Sequence, residues 1–280
     1  MTNKKAILEN FLKAVLVLDT ESTGLDPKQV EICEIGNTLM IPRESSPQKN
    51  ELLFGTKELI PFAASAKNNI SRDMLSGLPT VGENIEGTFS ILHLDNEDLK
   101  YNAAHNYVYD KVILESTFRR EGVEEFSDLL NERKWICTYR LAQHLFKPTT
   151  TDGWSYSLNF LRYAFNLQVD GLVCHRAGDD CFITFKLLEY IANYVLDNVL
   201  DESELTDNFN LGEFLCDLSS SPIVYEVFPW GKHKGVKLSD IPNDYYQWLL
   251  TKSDALDETK DGYNADLAAS IEKELQSREF

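Results

Sequence analysis

Polar and apolar positions interleave along most of this chain, but one stretch departs from that pattern. Ala14 to Leu18 is a run of five consecutive apolar residues, short enough and apolar enough for a strand buried on both faces. Asp19 and Glu21 follow at its end, and Gly24 and Pro27 then interrupt regular structure. Before the run, residues 5–13 read as a short amphipathic lead-in. After it, Val30 to Gly36 alternates apolar and polar and predicts a second strand. Pro42 to Asn50, rich in Ser, Pro and charge, predicts a hairpin turn into a third strand near Leu52–Ile60. A short helical turn is expected over Asn68–Leu75, a helix over Asn84–Leu94 and a strand over Leu99–Ala104. Tyr107–Arg120 carries Val108, Val112, Ile113 and Phe118 at helical spacing and stops at Gly122. Trp135–Cys137 reads as a brief strand, followed by helices at Tyr139–Phe146, Leu158–Phe165 and, longest, Gly178–Val199.

Three neighbouring strands followed by alternating helix and strand is an α/β order, with an antiparallel strand at one side. Residues 1–198 form the main domain on this reading. Residues 199–221 read as an acidic linker, since Asp201, Glu202, Glu204 and Asp207 have no basic residue among them. Residues 222–280 form a small C-terminal α/β extension. There Val224–Val227 is strand-like, Trp230 to Gly235 is a Gly-bounded basic turn, and Leu238–Leu250 is a helix bearing Tyr245, Tyr246 and Trp248. Lys232, Lys234, Lys237 and Lys252 against Glu226, Asp240 and Asp244 leave residues 222–252 at +1 inside a chain of −18. Lysines beside aromatic rings suit a nucleic-acid strand, although packing explains the rings equally well. The overall charge argues against a generic polyanion coat but not against a nucleic-acid enzyme, because local patches decide. Five cysteines without C-x-x-C spacing point to reduced thiols and a cytoplasmic setting. No signal peptide or membrane span is expected.

Residues two apart in a strand share a face, so Asp19 and Glu21 project side by side from the strand's C-terminal end. Unpaired carboxylates that close raise each other's pKa unless a cation lies between them. All-oxygen ligation points to Mg²⁺ or Mn²⁺. Composition weakens the spacing alone: with 45 acids in 280 residues, acid-any-acid recurs about seven times by chance. Position strengthens it, because open α/β sheets place ligands beyond the carboxyl ends of their strands. Asp110 falls in the first turn of a helix just after a strand, where the macrodipole favours an acid in any case. His175, on a loop, precedes Asp180 on the next helix; an imidazole ordinarily titrates near pH ~6.5 and suits a proton acceptor.

Asp19-Thr20-Glu21, His105-Asn106 with Asp110, and His175 with Asp180 five residues later resemble the three motifs of the DEDDh 3′–5′ exonucleases in order and spacing. Ile70 to Leu75 resembles that family's segment between its first two motifs. Trp135 to Thr138, Leu141-Ala142, His175 to Ala177, Asp180-Cys181 and Ile183-Thr184 are similar to the exodeoxyribonuclease X branch. Trp230 to Gly235, Ser239-Asp240, Tyr246 and Trp248-Leu249 resemble the small C-terminal region of that branch. Ser22 stands where Thr or Cys is common, and Tyr109 where Phe is common.

The resemblance implies a ribonuclease H-like mixed five-stranded sheet flanked by helices over roughly residues 12–198. It also implies two-metal phosphodiester hydrolysis at DNA 3′ ends, single-stranded or duplex, with two Mg²⁺ that Mn²⁺ can replace. Asp19, Glu21 and Asp180 would hold one ion, with Asp19 bridging to a second reached by Asp110. His175 would take the proton of the attacking water, and Asp179 would be a solvated first-turn acid. Thr20, Ser22, Leu25, His105 and Asn106 would contact the terminal nucleotide. A repair role and a repair or replication partner held by the C-terminal region are implied only at this level. An exoribonuclease of the same superfamily, and an inactive nucleic-acid-binding module, are the rival expectations.

Overall fold

The computed structural model of the chain describes residues 2–41, 44, 46–147, 153–169, 171–172 and 174–278. Two compact units divide it, Met1–Ser220 and Ser221–Phe280. The first opens with helix α1 (Thr2–Lys13) and strands β1 (Val15–Ser22), β2 (Ile32–Leu39) and β3 (Gln48–Leu53). Short helices α2 (Phe62–Asn68), α3 (Arg72–Leu75) and α4 (Ile85–Ile91) lead to β4 (Tyr101–Ala104). Then come α5 (Val108–Glu121), α6 (Glu125–Asn131), β5 (Lys134–Cys137), α7 (Thr138–Leu145), α8 (Leu158–Ala164), α9 (Ala177–Asn198) and α10 (Leu211–Ser220). The sheet order is β3-β2-β1-β4-β5; β1 pairs antiparallel with β2 and parallel with β4.

The apolar run predicted to be buried on both faces becomes the central strand. Val15 and Val17 face Leu187, Leu188 and Ile191 of α9, while Leu16 and Leu18 face Ile113 and Phe118 of α5. Helices therefore cover both faces of the sheet, as parallel pairing requires. The start of α9 comes especially close to β2: a Cβ on Gly36 would lie 2.3 Å from the carbonyl carbon of Ala177. Only glycine admits that approach, and it sets the first turn of α9 beside the end of β1.

In the first unit two expectations need correction and one needs tighter bounds. The third strand begins at Gln48, inside the stretch read as a turn, and ends at Leu53. It is an edge strand of half-exposed polar residues held by its ladder to β2, so no apolar run marks it; Pro42, Arg43 and Ser45 of that stretch lie outside the described residues. The helical turn expected over Asn68–Leu75 is present as α3 at Arg72–Leu75, while Asn68 closes α2, with Asn69 left-handed at φ 58° as its C-cap. The stretch 199–221 is not wholly a linker, because α10 inserts Leu211, Leu215 and Cys216 into the core of the first unit.

The second unit contains α11 (Asn243–Lys252) and α12 (Ala265–Ser277), packed around Phe228, Leu238, Ile241, Tyr246, Leu249, Leu267 and Ile271. Its expected strand at Val224–Val227 is reduced to one bridge, Val227 to Lys237. The helix expected over Leu238–Leu250 is broken at Pro242, which ends a single 3₁₀ turn and precedes α11. Among the described residues no helix is long and apolar enough to cross a membrane.

Candidate active site

Continuing the alternation of β1 puts Asp19 and Glu21 on the α9 side of the sheet and Thr20 on the α5 side. Thr20 then positions the third acid: its backbone N–H and its hydroxyl both donate to Oδ1 of Asp110, at 3.0 and 2.8 Å. Asp110 is buried in the first turn of α5. Asp180 lies in the first turn of α9 and accepts the backbone N–H of His175 on Oδ2 at 3.0 Å. That bond is made possible by a left-handed His175, φ 66°. The acids from these three elements line one cleft of about 660 Å³ together with His175. Ligand atoms of Glu21, His175 and Asp180 lie within 4.8 Å of one another.

The charges are uncompensated. Among the described residues none of Asp19, Glu21, Asp110 or Asp180 has an ion pair within 4.0 Å. Burial, reinforced by Asp110, Asp180 and Glu21, holds the Asp19 carboxyl well above the usual range. Burial and Asp180 push Glu21 to about 8. Burial pushes Asp110 to about 7 against the bonds from Thr20, and Asp180 to about 6 against the bond from His175. Lys67 at the end of α2 is the one lysine or arginine on the cleft wall among the described residues, and its pull on Glu21 is outweighed. Four oxygen-donor groups that repel each other and lack a cation suit a hard divalent ion.

A second set of acids at the α9 start, next to the first across the β1–β2 ladder, has partners. Glu34 on β2 is completely buried. It accepts from Arg176 Nε at 3.1 Å and Nη2 at 2.5 Å, and from the Ala177 N–H at 2.8 Å. One side chain thereby satisfies an orphan N–H of α9 and clamps the loop that carries His175. Asp179, expected to be solvated, is buried and paired with Lys49 of β3. Its partner sits on the strand that the sequence pattern concealed. Glu34, Arg176, Lys49 and Lys67 were not singled out from sequence; Glu34 had only its place in an alternating strand.

The expected substrate contacts divide. Ser22 Oγ and Tyr109 Oη lie 2.8 Å apart, and both donate to the Gly24 carbonyl, at 2.9 and 3.0 Å. The two departures from the family pattern thus meet and pin the loop that presents Leu25, which is 82% exposed at the cleft edge. Asn106 is exposed at φ 74°. His105 lines the cleft, but both ring nitrogens are engaged, Nδ1 with Thr138 Oγ1 at 3.0 Å and Nε2 with the Tyr156 carbonyl at 2.8 Å. Burial lowers its pKa to about 4, so it offers substrate a ring edge and no free nitrogen. Thr20 is likewise spent on Asp110. Lys232, Lys234 and Lys237 belong to the second unit and are exposed there.

A family model described as an exonuclease, RNase T, matches residues 16–188. Exodeoxyribonuclease 10 of Escherichia coli strain K12 is 26% identical over 246 residues, 86% of this chain and 92% of that protein. Among solved structures, exonuclease X in complex with 5′-overhanging duplex DNA is 25% identical over 73% of this chain and 99% of its own, at a TM-score of 0.49. Escherichia coli exonuclease I in complex with a dT13 oligonucleotide is 14% identical over 65% of this chain and 41% of its own, at a TM-score of 0.54, a likeness of fold.

Proposed function

The chain belongs to the RNase T exonuclease family, and from that premise we propose that it is a metal-dependent 3′–5′ exodeoxyribonuclease releasing 5′-mononucleotides from DNA ends. The observation that carries this reading is the set of four uncompensated carboxylates, Asp19, Glu21, Asp110 and Asp180, around one cleft. The names of the exodeoxyribonuclease relative and of the DNA complexes support DNA as the substrate. The first unit is the exonuclease domain on this reading, and the second unit is an accessory. Five free cysteines fit a reducing cytoplasm.

Asp19, Glu21 and Asp180 would hold one ion, and Asp19 with Asp110 a second; Mg²⁺ suits the oxygen donors and Mn²⁺ would replace it. When bound, the ions supply positive charge that acidifies water and stabilises the attacking and leaving oxygens of an in-line displacement. The protein's own residues do the rest. Leu25 packs on the terminal base, and Asn106 hydrogen-bonds the terminal nucleotide. Water attacks the terminal phosphodiester, and a new O–P bond forms as the P–O3′ bond to the preceding nucleotide breaks. His175 takes the proton of the attacking water, which its exposed place at the cleft mouth allows. The freed O3′ takes a proton from solvent water and becomes the new strand end, and His175 returns its proton to solvent.

Strands labelled at the 5′ end test the proposal: single-stranded DNA, duplex DNA with a recessed 3′ end, and matching RNA, with Mg²⁺ and an Asp19→Ala control. A ladder shrinking from the 3′ end of DNA, absent in the control, is the expected result. Degradation of RNA alone assigns an exoribonuclease instead, and intact strands throughout overturn the enzymatic reading.

A further inference from the structure

Among its described residues the second unit carries no cluster of acids like the cleft, yet one part of its surface is built for a different purpose. Residues 228–236 form a loop closed by the Phe228 N–H on the Val236 carbonyl and the Gly235 N–H on the Phe228 carbonyl, both 2.8 Å. Gly231 at φ 67° and Gly235 at φ 81° supply left-handed turns that other residues resist. The result is a tight loop from which Lys232, Lys234 and, just beyond it, Lys237 are all exposed. None of the three has an ion pair among the described residues.

Aromatic rings meet His233, which stands between Lys232 and Lys234 in the chain. Trp248 stacks on Tyr245 at 5.5 Å and 25° between planes, and Tyr245 meets His233 at 4.3 Å. Trp230 rests edge-on against Phe228 at 6.2 Å. The expectation that these rings serve only as core holds for Tyr246, which is 1% exposed, but Trp248 is 48% exposed and Trp230 41%. Phe228 and Tyr246 already fill the core beneath. Indole surface left in water beside unpaired lysines, in a chain of −18, matches what a single nucleic-acid strand requires: cations for phosphates and flat rings for bases.

We propose that Lys232, Lys234 and Lys237 with Trp230, Tyr245 and Trp248 form a binding strip for single-stranded DNA, separate from the cleft. The lysines hold successive phosphates, and the exposed indoles stack on bases without selecting among them. By keeping a long strand bound, the strip favours long substrates over short ones; this consequence, unlike the binding itself, rests on the cleft being an exonuclease site.

The test uses the full chain in EDTA, with anisotropy of a labelled 30-nucleotide strand read at increasing salt. Replacing the three lysines together (Lys232→Gln, Lys234→Gln, Lys237→Gln) should weaken binding at least ~10-fold at low salt. The slope of log affinity against log salt should fall by about 2, near 0.7 for each phosphate that a lysine no longer neutralises. Trp248→Ala should weaken binding about fivefold or more and reduce the quenching of tryptophan emission by DNA, while Trp248→Phe keeps most of the affinity. With Mg²⁺, the preference for the 30-mer over a trinucleotide should shrink in the weakened variants. Unchanged affinity and slope in the lysine and Trp248→Ala variants overturn the proposal. So does a wild-type dimer that Trp248→Ala dissociates without altering DNA binding, which assigns the rings to a protein interface. A wild type that binds through the strip but shortens no strand defeats the reading of the cleft and leaves the strip standing.

Discussion

Two groups of carboxylates meet near the first turn of α9, and the chain treats them oppositely. On one side Glu34 and Asp179 are buried with partners: Glu34 with Arg176 and the Ala177 N–H, Asp179 with Lys49. On the other, Asp19, Glu21, Asp110 and Asp180 crowd one cleft with no ion pair among the described residues. Asp179 and Asp180 are neighbours in sequence and differ only in which side they face. Burial without compensation destabilises a folded chain, and such a group persists where something other than folding needs it. The compensated side therefore serves to place the helix, and the uncompensated side is what that placement is for.

Substitutions should separate the two sides by the sign of their effect on stability. The largest change is expected at Asp180→Asn: hydrolysis falls by well over ~100-fold, since even outer partners of metal ligands contribute ~10–100-fold. The metal-free protein should nonetheless melt at or above the wild-type temperature, because one repelling charge is gone. His175→Ala should lower kcat by about 10²–10⁴-fold, with residual activity that climbs with pH as hydroxide replaces the base; a flat residual profile would remove His175 from that role. Glu34→Ala should destabilise the fold by about 1–3 kcal/mol by leaving the Ala177 N–H unpaired and Arg176 with Glu51 alone. Chemical denaturation measures this, and a loss below ~1 kcal/mol would mean that the clamp is ornamental.

Protonation gives a gentler version of the same contrast. Glu21, Asp110 and Asp180 have folded pKa values of about 8, 7 and 6, each raised above its ordinary value, and Asp19 is raised as well. A raised carboxyl binds its proton more tightly in the folded state, so its penalty is absent below the ordinary carboxylate range and complete above the folded value. The metal-free protein should accordingly lose stability as pH rises from about 4 to about 8. His105, lowered to about 4, works the other way and removes stability as pH falls below ~6.5. The clean window thus lies above that, where melting of the metal-free wild type should decline with pH more steeply than melting of Asp19→Asn. Parallel curves would contradict the assignment of this charge to the cleft.

How far these features can be read in advance depends on whether their causes are local. The apolar run of β1 and the acids at its end are visible because a strand buried on both faces and its period of two are written in adjacent residues. Asp180 could be chosen over Asp179 only through the spacing from His175, and the pairing of Asp179 could not be foreseen. Its partner Lys49 is 130 residues away, on an edge strand whose polar residues imitate a turn. Glu34 had only its place in an alternating strand to mark it; the arrival of α9 over Gly36 is what buries it. The helix α10 was hidden by the acidic stretch before it, although Leu211 and Leu215 carry the four-residue spacing of an apolar helix face. In the second unit the basic turn was legible, but which rings stay in water was decided by the core that Phe228 and Tyr246 fill.

If the cleft's acids are held in place for a divalent cation, the metal-free protein should bind one and give up protons as it does. Calorimetric titration with Mn²⁺ near pH 7, in two buffers of different ionisation enthalpy, reads both events at once. Binding with proton release is expected, since Glu21 and Asp110 must give up protons held at about 8 and 7, and that heat should disappear in Asp19→Asn. Absence of binding heat in both buffers, or the same heat in Asp19→Asn as in the wild type, would contradict a cation site in the cleft.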